Sequence, residues 1–140
     1  MPNYTKNKII FDKKYEEDVI SVVGMSFNFN DFIPQPYHMY HGNLSSRDHK
    51  DFPCNWWDWN NLNWGTKWNC SDYFLKIEDD KVILNFDTAW TAPFPIICAF
   101  ANKFRIPFEH HYWYDGADDD IWTIHEWKLL DGAMCRIIKD

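Results

Sequence analysis

The chain has 140 residues, of which 46% are hydrophobic and 19% aromatic, and its formal net charge is −7. This composition is typical of a globular domain and excludes a disordered chain. The acidic balance also excludes the broad basic surface with which proteins bind duplex nucleic acid. The length predicts a single domain that extends from residue 1 to residue 140. The composition predicts that its core is built largely from aromatic rings.

The cysteines and the apolar segments indicate the cellular compartment. The four cysteines are widely spaced and form no C-x-x-C pair, so the pattern predicts neither a zinc ribbon nor a redox motif. The first residues lack the apolar segment of a signal peptide, and the longest apolar runs are too short to span a bilayer. We therefore expect a cytoplasmic protein with free thiols and no membrane contact.

The first third of the chain predicts a strand, a helix and a second strand. Residues 8–11 form a short apolar run that favours an opening strand. A helix is expected next, because Asp12 can cap its start and Gly24 can end it. The alternating rings of residues 27–33 predict the second strand, and Pro34 would end it because proline cannot donate a hydrogen bond to a sheet.

The middle of the chain, at about residues 37–72, is expected to be a tryptophan-rich insertion. Residues 37–55 show no sustained period and are expected to form a loop. Five of the nine tryptophans follow between residues 56 and 68. We expect a short helix and then an irregular turn here, because Gly65 and several asparagines weaken a long helix.

The second half of the chain is rich in strand patterns. Residues 73–77 and 81–86 predict a hairpin, and Thr91 and Pro93 predict the start of a helix by capping and by the preference of proline for a first turn. Three more strands are expected at residues 108–114, 121–128 and 133–138. The order of elements predicts an α+β sandwich, with two helices on one face of a mostly antiparallel sheet and a C-terminal β-hairpin.

Three sequence words resemble one known family. Phe27-Asn-Phe-Asn-Asp-Phe-Ile-Pro-Gln-Pro36 resembles the segment FDFNKIIPMP of Api92-like (DUF1281) proteins of phages and plasmids. The segment from Trp57 to Asn69 is similar to that family's W-x-W-x-x-x-N-W-G-T-K-W signature, and Phe86-Asp-Thr-Ala-Trp-Thr-Ala-Pro93 is similar to its F-x-T-A-W-S-P-P segment. The three words occur in the family's order, and the resemblance extends over most of residues 6–114.

The resemblance implies a ferredoxin-like fold and an origin in a mobile element, but it implies no particular reaction. The chain departs from the family pattern at Gln35, where the family usually has Met, and at Ala92, where it usually has Pro. Residues 115–140 match only loosely.

The tryptophan-rich segment is the main candidate for a binding site. Trp64, Lys67, Trp68 and Trp90 can line a pocket in which a planar base stacks and the lysine contacts a phosphate. The alternative is that these rings pin the insertion to the sheet, with Gly65 allowing a turn of positive φ. The full set of predicted ligand-binding residues is Trp57, Asn63, Trp64, Thr66, Lys67, Trp68, Trp90, Arg105 and His111.

The histidines and carboxylates form no complete catalytic or metal-binding pattern. His38 and His41, with His49 nearby, lack the acidic residue of a zincin motif. His110 or His111, His125 and Glu109 have two interpretations, a proton relay or histidines whose hydrogen bonds are satisfied within a sheet, and the second is more common. The acidic run of residues 115–120 lacks the spacing of a calcium-binding loop and is expected to be a solvated turn. We therefore predict no catalytic residue, no metal site and no cofactor.

Three functions remain open from the sequence. The first is a non-catalytic accessory protein of a phage or plasmid, acting in counter-defence in the host cytoplasm, which binds a small ligand such as a nucleotide in its aromatic pocket. A near alternative is an inhibitor that binds a host defence protein through its acidic surface. The others are a small hydrolase dependent on histidine and aspartate, and a structural virion module, which would be a homo-oligomer.

Overall fold

A computed structural model describes residues 3–117 and 121–139, and six strands in it form one antiparallel sheet. The order of strands across the sheet is β2-β3-β1-β4-β5-β6. Along the chain the elements are β1 (Tyr4–Asp12), α1 (Glu16–Val23), α2 (Asp48–Asp51), α3 (Trp56–Asn63), β2 (Ser71–Glu78), β3 (Lys81–Ala89), α4 (Phe94–Phe104), β4 (Phe108–Tyr114), β5 (Thr123–Leu130) and β6 (Ala133–Lys139).

The first four strands with helices α1 and α4 follow the β-α-β-β-α-β order of a ferredoxin-like sandwich. Strand β1 lies in the middle of these four, antiparallel to β3 on one side and to β4 on the other. The hairpin of β5 and β6 extends the sheet beyond β4. The predicted α+β ferredoxin-like class, with its C-terminal hairpin, is therefore confirmed.

The core lies on the face of the sheet that the helices cover. Alternate residues of β1 are buried, which is the period of a strand with one covered face. Aromatic rings fill much of this core, as the composition indicated. The buried apolar side chains include Ile9, Phe11, Val19, Val23, Leu84, Phe86, Ile96, Ile97 and Phe100.

The second strand predicted from the alternating rings of residues 27–33 is wrong. The segment instead contains a 3-10 turn, Phe29–Asp31, where the Asn28 side chain accepts a hydrogen bond from the Asn30 amide. Phe27 and Phe29 are both buried, so the burial does alternate as it would in a strand. Their rings pack into the core from a turn, and the turn residues satisfy their backbone groups locally.

Thr91 was predicted to cap the start of helix α4, and the structure does not show this cap. The helix is present, but Thr91 does not cap it, because its hydroxyl donates to the carbonyl of Gly65 at 2.5 Å. This bond fastens the start of α4 to the tryptophan-rich segment. That segment is, as expected, a short helix followed by a turn, and Gly65 adopts a φ of 76° there.

Candidate functional site

The face of the sheet opposite the helices carries a polar and aromatic surface, which we call the open face. Lys6 and Lys8 of β1 point to this face, since they alternate with the buried residues of the same strand. In the register of the sheet, Lys6 lies between Asp87 of β3 and Trp113 of β4. Residues opposite one another in antiparallel strands share a face, so all three side chains meet on the open face.

A hollow of about 560 Å³ lies on this face, and we call it the open-face hollow. It sits at the end of the sheet where β1 and β5 begin and where β3 and β4 end. Its lining is mixed, with four aromatic residues and four charged side chains. The lining residues are Lys6, Asn7, Lys8, Asp72, Phe74, Asn85, Phe86, Asp87, Trp113 and Trp122.

Two indoles form one wall of the hollow. The rings of Trp113 and Trp122 are stacked, with centroids 6.4 Å apart and planes inclined by 29°. The ammonium of Lys8 lies 4.7 Å from the centroid of the Trp122 ring, within the range of a cation–π contact. Phe74, which is 57% exposed, lines the hollow from β2.

A charge pair occupies the floor of the hollow. Lys6 Nζ donates to Asp87 Oδ2 at 3.0 Å, and Asp87 is largely buried. The hydrogen bond with Asp87 is the main reason that the pKa of Lys6 is raised above its ordinary value. Lys6 and Asp87 therefore neutralise each other, and Lys8 and Asp72 are the remaining charges of the lining.

A second aromatic group, which we call the Lys67 cluster, lies at the end of the sheet. The Lys67 ammonium is 4.5 Å from the centroid of the Trp68 ring and 5.5 Å from that of Trp90. Trp68 is 37% exposed and Trp90 is 53% exposed, so both rings present a face to solvent. The structure thus brings together three of the predicted binding residues, a cation between two indoles.

Trp90 adopts an unusual backbone conformation. Its φ of 68° lies in the left-handed region that bulky residues rarely adopt. The conformation is held by hydrogen bonds on both sides, from the Trp90 amide to the Asn3 carbonyl and from the Thr5 hydroxyl to the Trp90 carbonyl. Strain of this kind persists only where the surroundings enforce it, and it concentrates at functional sites.

The Lys67 cluster lies close to the open-face hollow. Ser71 pairs with Asp87, a residue of the hollow. Trp68 precedes Ser71 by three residues, and Trp90 follows Asp87 by three residues. Three extended residues span at most roughly 10 Å. One end of the sheet therefore carries four indoles and three lysines.

Three other predicted binding residues serve the structure at this end of the insertion. Trp64 is 1% exposed, and its indole N–H donates to the Ile33 carbonyl at 2.8 Å. The Thr66 hydroxyl donates to the Ala89 carbonyl, and the Asn63 amide donates to the Trp59 carbonyl. The Thr66 bond ties the insertion to strand β3, the Trp64 bond ties it to Ile33, and the Asn63 bond lies within helix α3. The same segment therefore contains buried residues that hold it in place and partly exposed rings.

The remaining three predicted residues have partners outside both aromatic groups. The Trp57 ring packs edge-on against His49, and the Arg105 guanidinium donates to the Gly132 carbonyl at 2.6 Å. His111 is on the open face, where its Nε2 lies 2.9 Å from a carboxylate oxygen of Glu109. The structure does not bring these three into a single site with Lys67.

The histidines considered for a relay lie on opposite faces of the sheet. His110 and His125 are buried on the helix side with ring centroids 6.2 Å apart, whereas His111 and Glu109 share the open face. His38 and His41 are exposed. Within residues 3–117 and 121–139, no group of three or more His, Cys, Asp or Glu side chains is arranged to hold a metal ion. Residues 118–120 of the acidic run lie outside the described residues.

Sequence reasoning missed the hollow because its walls come from distant parts of the chain. Lys8, Phe74, Trp113 and Trp122 are on three strands and a loop, and only the pairing register makes them neighbours. One local signal was present in the sequence. Lys6 and Lys8 alternate with apolar and small polar residues, which is the pattern of a strand with a polar exposed face.

The fold and these surfaces define a ferredoxin-like α+β domain with an aromatic and cationic end. Residues 63–119 match the model of the family described as "Ferredoxin-like domain in Api92-like protein". This is the family that the sequence words resemble, so the predicted resemblance is confirmed over this part of the chain. The matched range contains the Lys67 cluster, Asp72, Phe74, Asp87 and Trp113.

No curated protein and no solved structure matches the chain. Among the helices of residues 3–117 and 121–139, none has the length and apolar character needed to cross a membrane.

Proposed function

We propose that the protein is a non-catalytic binding protein whose open-face hollow takes a small nucleotide. The observation that supports this most directly is the wall of two stacked indoles, Trp113 and Trp122, with the Lys8 ammonium over one of the rings. A nucleotide combines a planar base with an anionic group, and this wall offers a partner for each.

The size and lining of the hollow suit such a ligand. Its volume of about 560 Å³ is within the usual range of roughly 300–1,000 Å³ for small-molecule pockets. Stacking of a base on an aromatic side chain contributes about 1–3 kcal/mol and depends little on which base it is. Rings that already face the hollow need no rearrangement before they stack, so little conformational entropy is lost on binding.

The charges of the hollow indicate how much phosphate it can accept. Lys6 is paired with Asp87, whereas no ion pair of the described residues uses Lys8. One unpaired ammonium matches one phosphate group or phosphodiester. The Asp72 carboxylate, which forms no ion pair among the described residues, disfavours the higher charge of a triphosphate.

The histidines support binding rather than turnover. His110 is fully buried, and burial lowers its pKa to about 3, so it cannot exchange protons with a ligand in the open-face hollow. His111 bonds to Glu109, whose other carboxylate oxygen accepts from Lys139 at 2.8 Å. That network satisfies the groups that a hydrolase would need to keep available.

The proposed biological setting is counter-defence by a phage or plasmid in the host cytoplasm, where the protein would sequester a nucleotide signal. This part of the proposal rests on the mobile-element origin that the family resemblance implies. The rival is direct binding of a host defence protein, which the net charge of −7 favours for a basic partner.

Isothermal titration calorimetry with mononucleotides and with linear and cyclic dinucleotides tests the proposal. We expect at least one of them to bind, and we expect Trp122→Ala and Lys8→Ala to weaken that binding by about tenfold or more, since each removes about 1.4 kcal/mol or more of contact. Trp57→Ala and Lys103→Ala are matched controls outside the hollow and should bind as the wild type does.

Other outcomes would decide against the proposal. Absence of heat with every nucleotide, together with capture of one host protein, would favour the rival. Binding that is lost in Trp90→Ala but kept in Trp122→Ala would place the ligand on the Lys67 cluster. Conversion of the ligand, seen by mass spectrometry after the protein is denatured, would indicate an enzyme.

A further inference from the structure

Asp72 has the most unusual backbone in the lining of the open-face hollow. Strand β2 pairs Ser71 with Asp87 and Phe74 with Asn85, so β2 advances three residues where β3 advances two. The extra residue makes a β-bulge, and Asp72 within it has a φ of 53°. Bulges re-aim side chains and are common next to binding sites.

The bulge places Asp72 at the hollow, where its carboxylate oxygens accept no hydrogen bond from another described residue. None of the hydrogen bonds or ion pairs among the described residues involves its side chain, whereas Asp87 is bonded to Lys6. Asp72 is exposed and lines the hollow together with Phe74 and Trp113. A carboxylate that makes no hydrogen bond among the described residues, beside rings on which a base can stack, is placed to contact the edge of that base.

We infer that Asp72 is the specificity group of the hollow and that it selects guanine nucleotides. This inference rests on the proposed nucleotide-binding function of the same hollow.

The chemistry of the base edges gives the reason for guanine. A carboxylate has two oxygens that accept hydrogen bonds side by side, and it has no donor when ionised. Guanine presents two adjacent donors, N1–H and the N2 amino group, which match both oxygens in a bidentate pair. Adenine presents the lone pair of N1 at that position, and the lone pair repels the carboxylate. Charge-assisted bonds of this kind are about twice as strong as neutral ones.

Calorimetry with guanosine, adenosine, inosine, cytidine and uridine monophosphates at pH 7.5 tests the inference. We expect the guanosine nucleotide to bind about tenfold or more tightly than the adenosine nucleotide, the ratio given by one extra pair of charge-assisted bonds. The inosine nucleotide keeps N1–H but lacks the amino group, so its affinity should fall between the two.

Two matched variants separate recognition by Asp72 from a general effect of charge. In Asp72→Asn we expect the preference for guanine over adenine to fall to about threefold or less, with nucleotide binding retained, because asparagine keeps only one acceptor. Asparagine tolerates the left-handed backbone, so the bulge should persist. Asp79→Asn is the control, because Asp79 also has a positive φ, of 55°, but lies in the turn at the other end of β2. It should keep the full preference.

The possible results separate a failure of guanine selection by Asp72 from a failure of nucleotide binding by the hollow. Equal affinity for guanosine and adenosine nucleotides, in a protein whose binding still depends on Trp122, would overturn the role of Asp72 and leave nucleotide binding in place. An unchanged guanine preference in Asp72→Asn would likewise overturn it. Failure of all five nucleotides to bind would refute the inference and the proposed function together.

Discussion

The buried imidazole of His110 leads to a prediction about the pH dependence of stability. The Thr88 hydroxyl donates to the Thr91 carbonyl at 2.7 Å, so the Thr88 oxygen accepts from the Asn7 amide group at 3.0 Å. The amide oxygen of Asn7 must then accept from His110 Nε2 at 2.9 Å. This chain of bonds fixes the proton of neutral His110 on Nε2, and its Nδ1 is buried without a hydrogen-bond partner.

Protonation of Nδ1 would place a charge in the core, and burial is accordingly the main cause that lowers the pKa of His110 to about 3. The charge of the nearby His125 acts in the same direction. The unfolded chain has an ordinary histidine pKa of about 6.5, so it binds this proton more readily than the folded protein does. The folded state is therefore fully stable above pH 6.5 and loses stability as the pH falls below that value.

The size of the effect follows from these two pKa values. Between pH 7.5 and pH 5.0, proton uptake by the unfolded state through this one histidine removes about 2 kcal/mol from the free energy of unfolding. Burial also lowers the pKa of His125, which adds to the loss. The carboxyl groups whose pKa is lowered, such as Glu109, have ordinary pKa values of 4.5 or below, so most of their titration lies below this window.

Urea denaturation at pH 7.5 and pH 5.0 measures the loss in the wild type and in His110→Gln. Glutamine can donate to Asn7 but cannot take up a proton, so we expect the variant to lose about 2 kcal/mol less than the wild type between the two pH values. His38→Gln, at an exposed histidine, should behave as the wild type. Equal losses in His110→Gln and the wild type would refute the assignment of a buried, neutral His110.

Two further predictions concern the tryptophan-rich turn and the thiols. Gly65→Ala should lower the free energy of unfolding by about 2–4 kcal/mol, because it combines a positive φ with a Cβ only 2.7 Å from Pro95 Cδ. Gly132→Ala has open space and should lose only about 1 kcal/mol, so an equal loss in urea denaturation would contradict this account. Exposed Cys98 should react with a disulfide reagent in the native protein, as mapped by mass spectrometry. Cys70 should react only after denaturation, because burial raises the pKa of its thiol to about 12.

The sequence predicted the elements whose signals are local. The hairpin of β2 and β3 was recognisable because apolar strands flank an acidic turn, and strand β4 was predicted with its actual bounds. The predicted strand at residues 27–33 was wrong because alternating burial also arises when a turn inserts two rings into a core. Periodicity reports which side chains are buried, whereas a strand also needs a neighbour to accept its hydrogen bonds.

The tryptophans likewise show that sequence spacing does not predict which side chains of the candidate site are exposed. Trp64 and Trp68 are four residues apart, yet the first is in the core and the second at the surface. Helix α3 ends at Asn63, and Gly65 reverses the chain with its positive φ, so helical spacing says nothing about which ring faces solvent. That two of the predicted rings contact Lys67 depends on the fold, since Trp90 comes from the end of β3.

The strongly acidic composition and a nucleotide ligand are compatible, because binding depends on the local arrangement of charge. Each of the two aromatic groups at the end of the sheet pairs a lysine with the face of an indole, Lys8 with Trp122 and Lys67 with Trp68. The aromatic face lowers the energy of the ammonium without neutralising its charge, so the ammonium stays available to a phosphate. The net charge of −7 over the whole chain weakens the long-range attraction of anions and slows association. The protein would therefore bind one compact anionic ligand at this end and still repel extended nucleic acid.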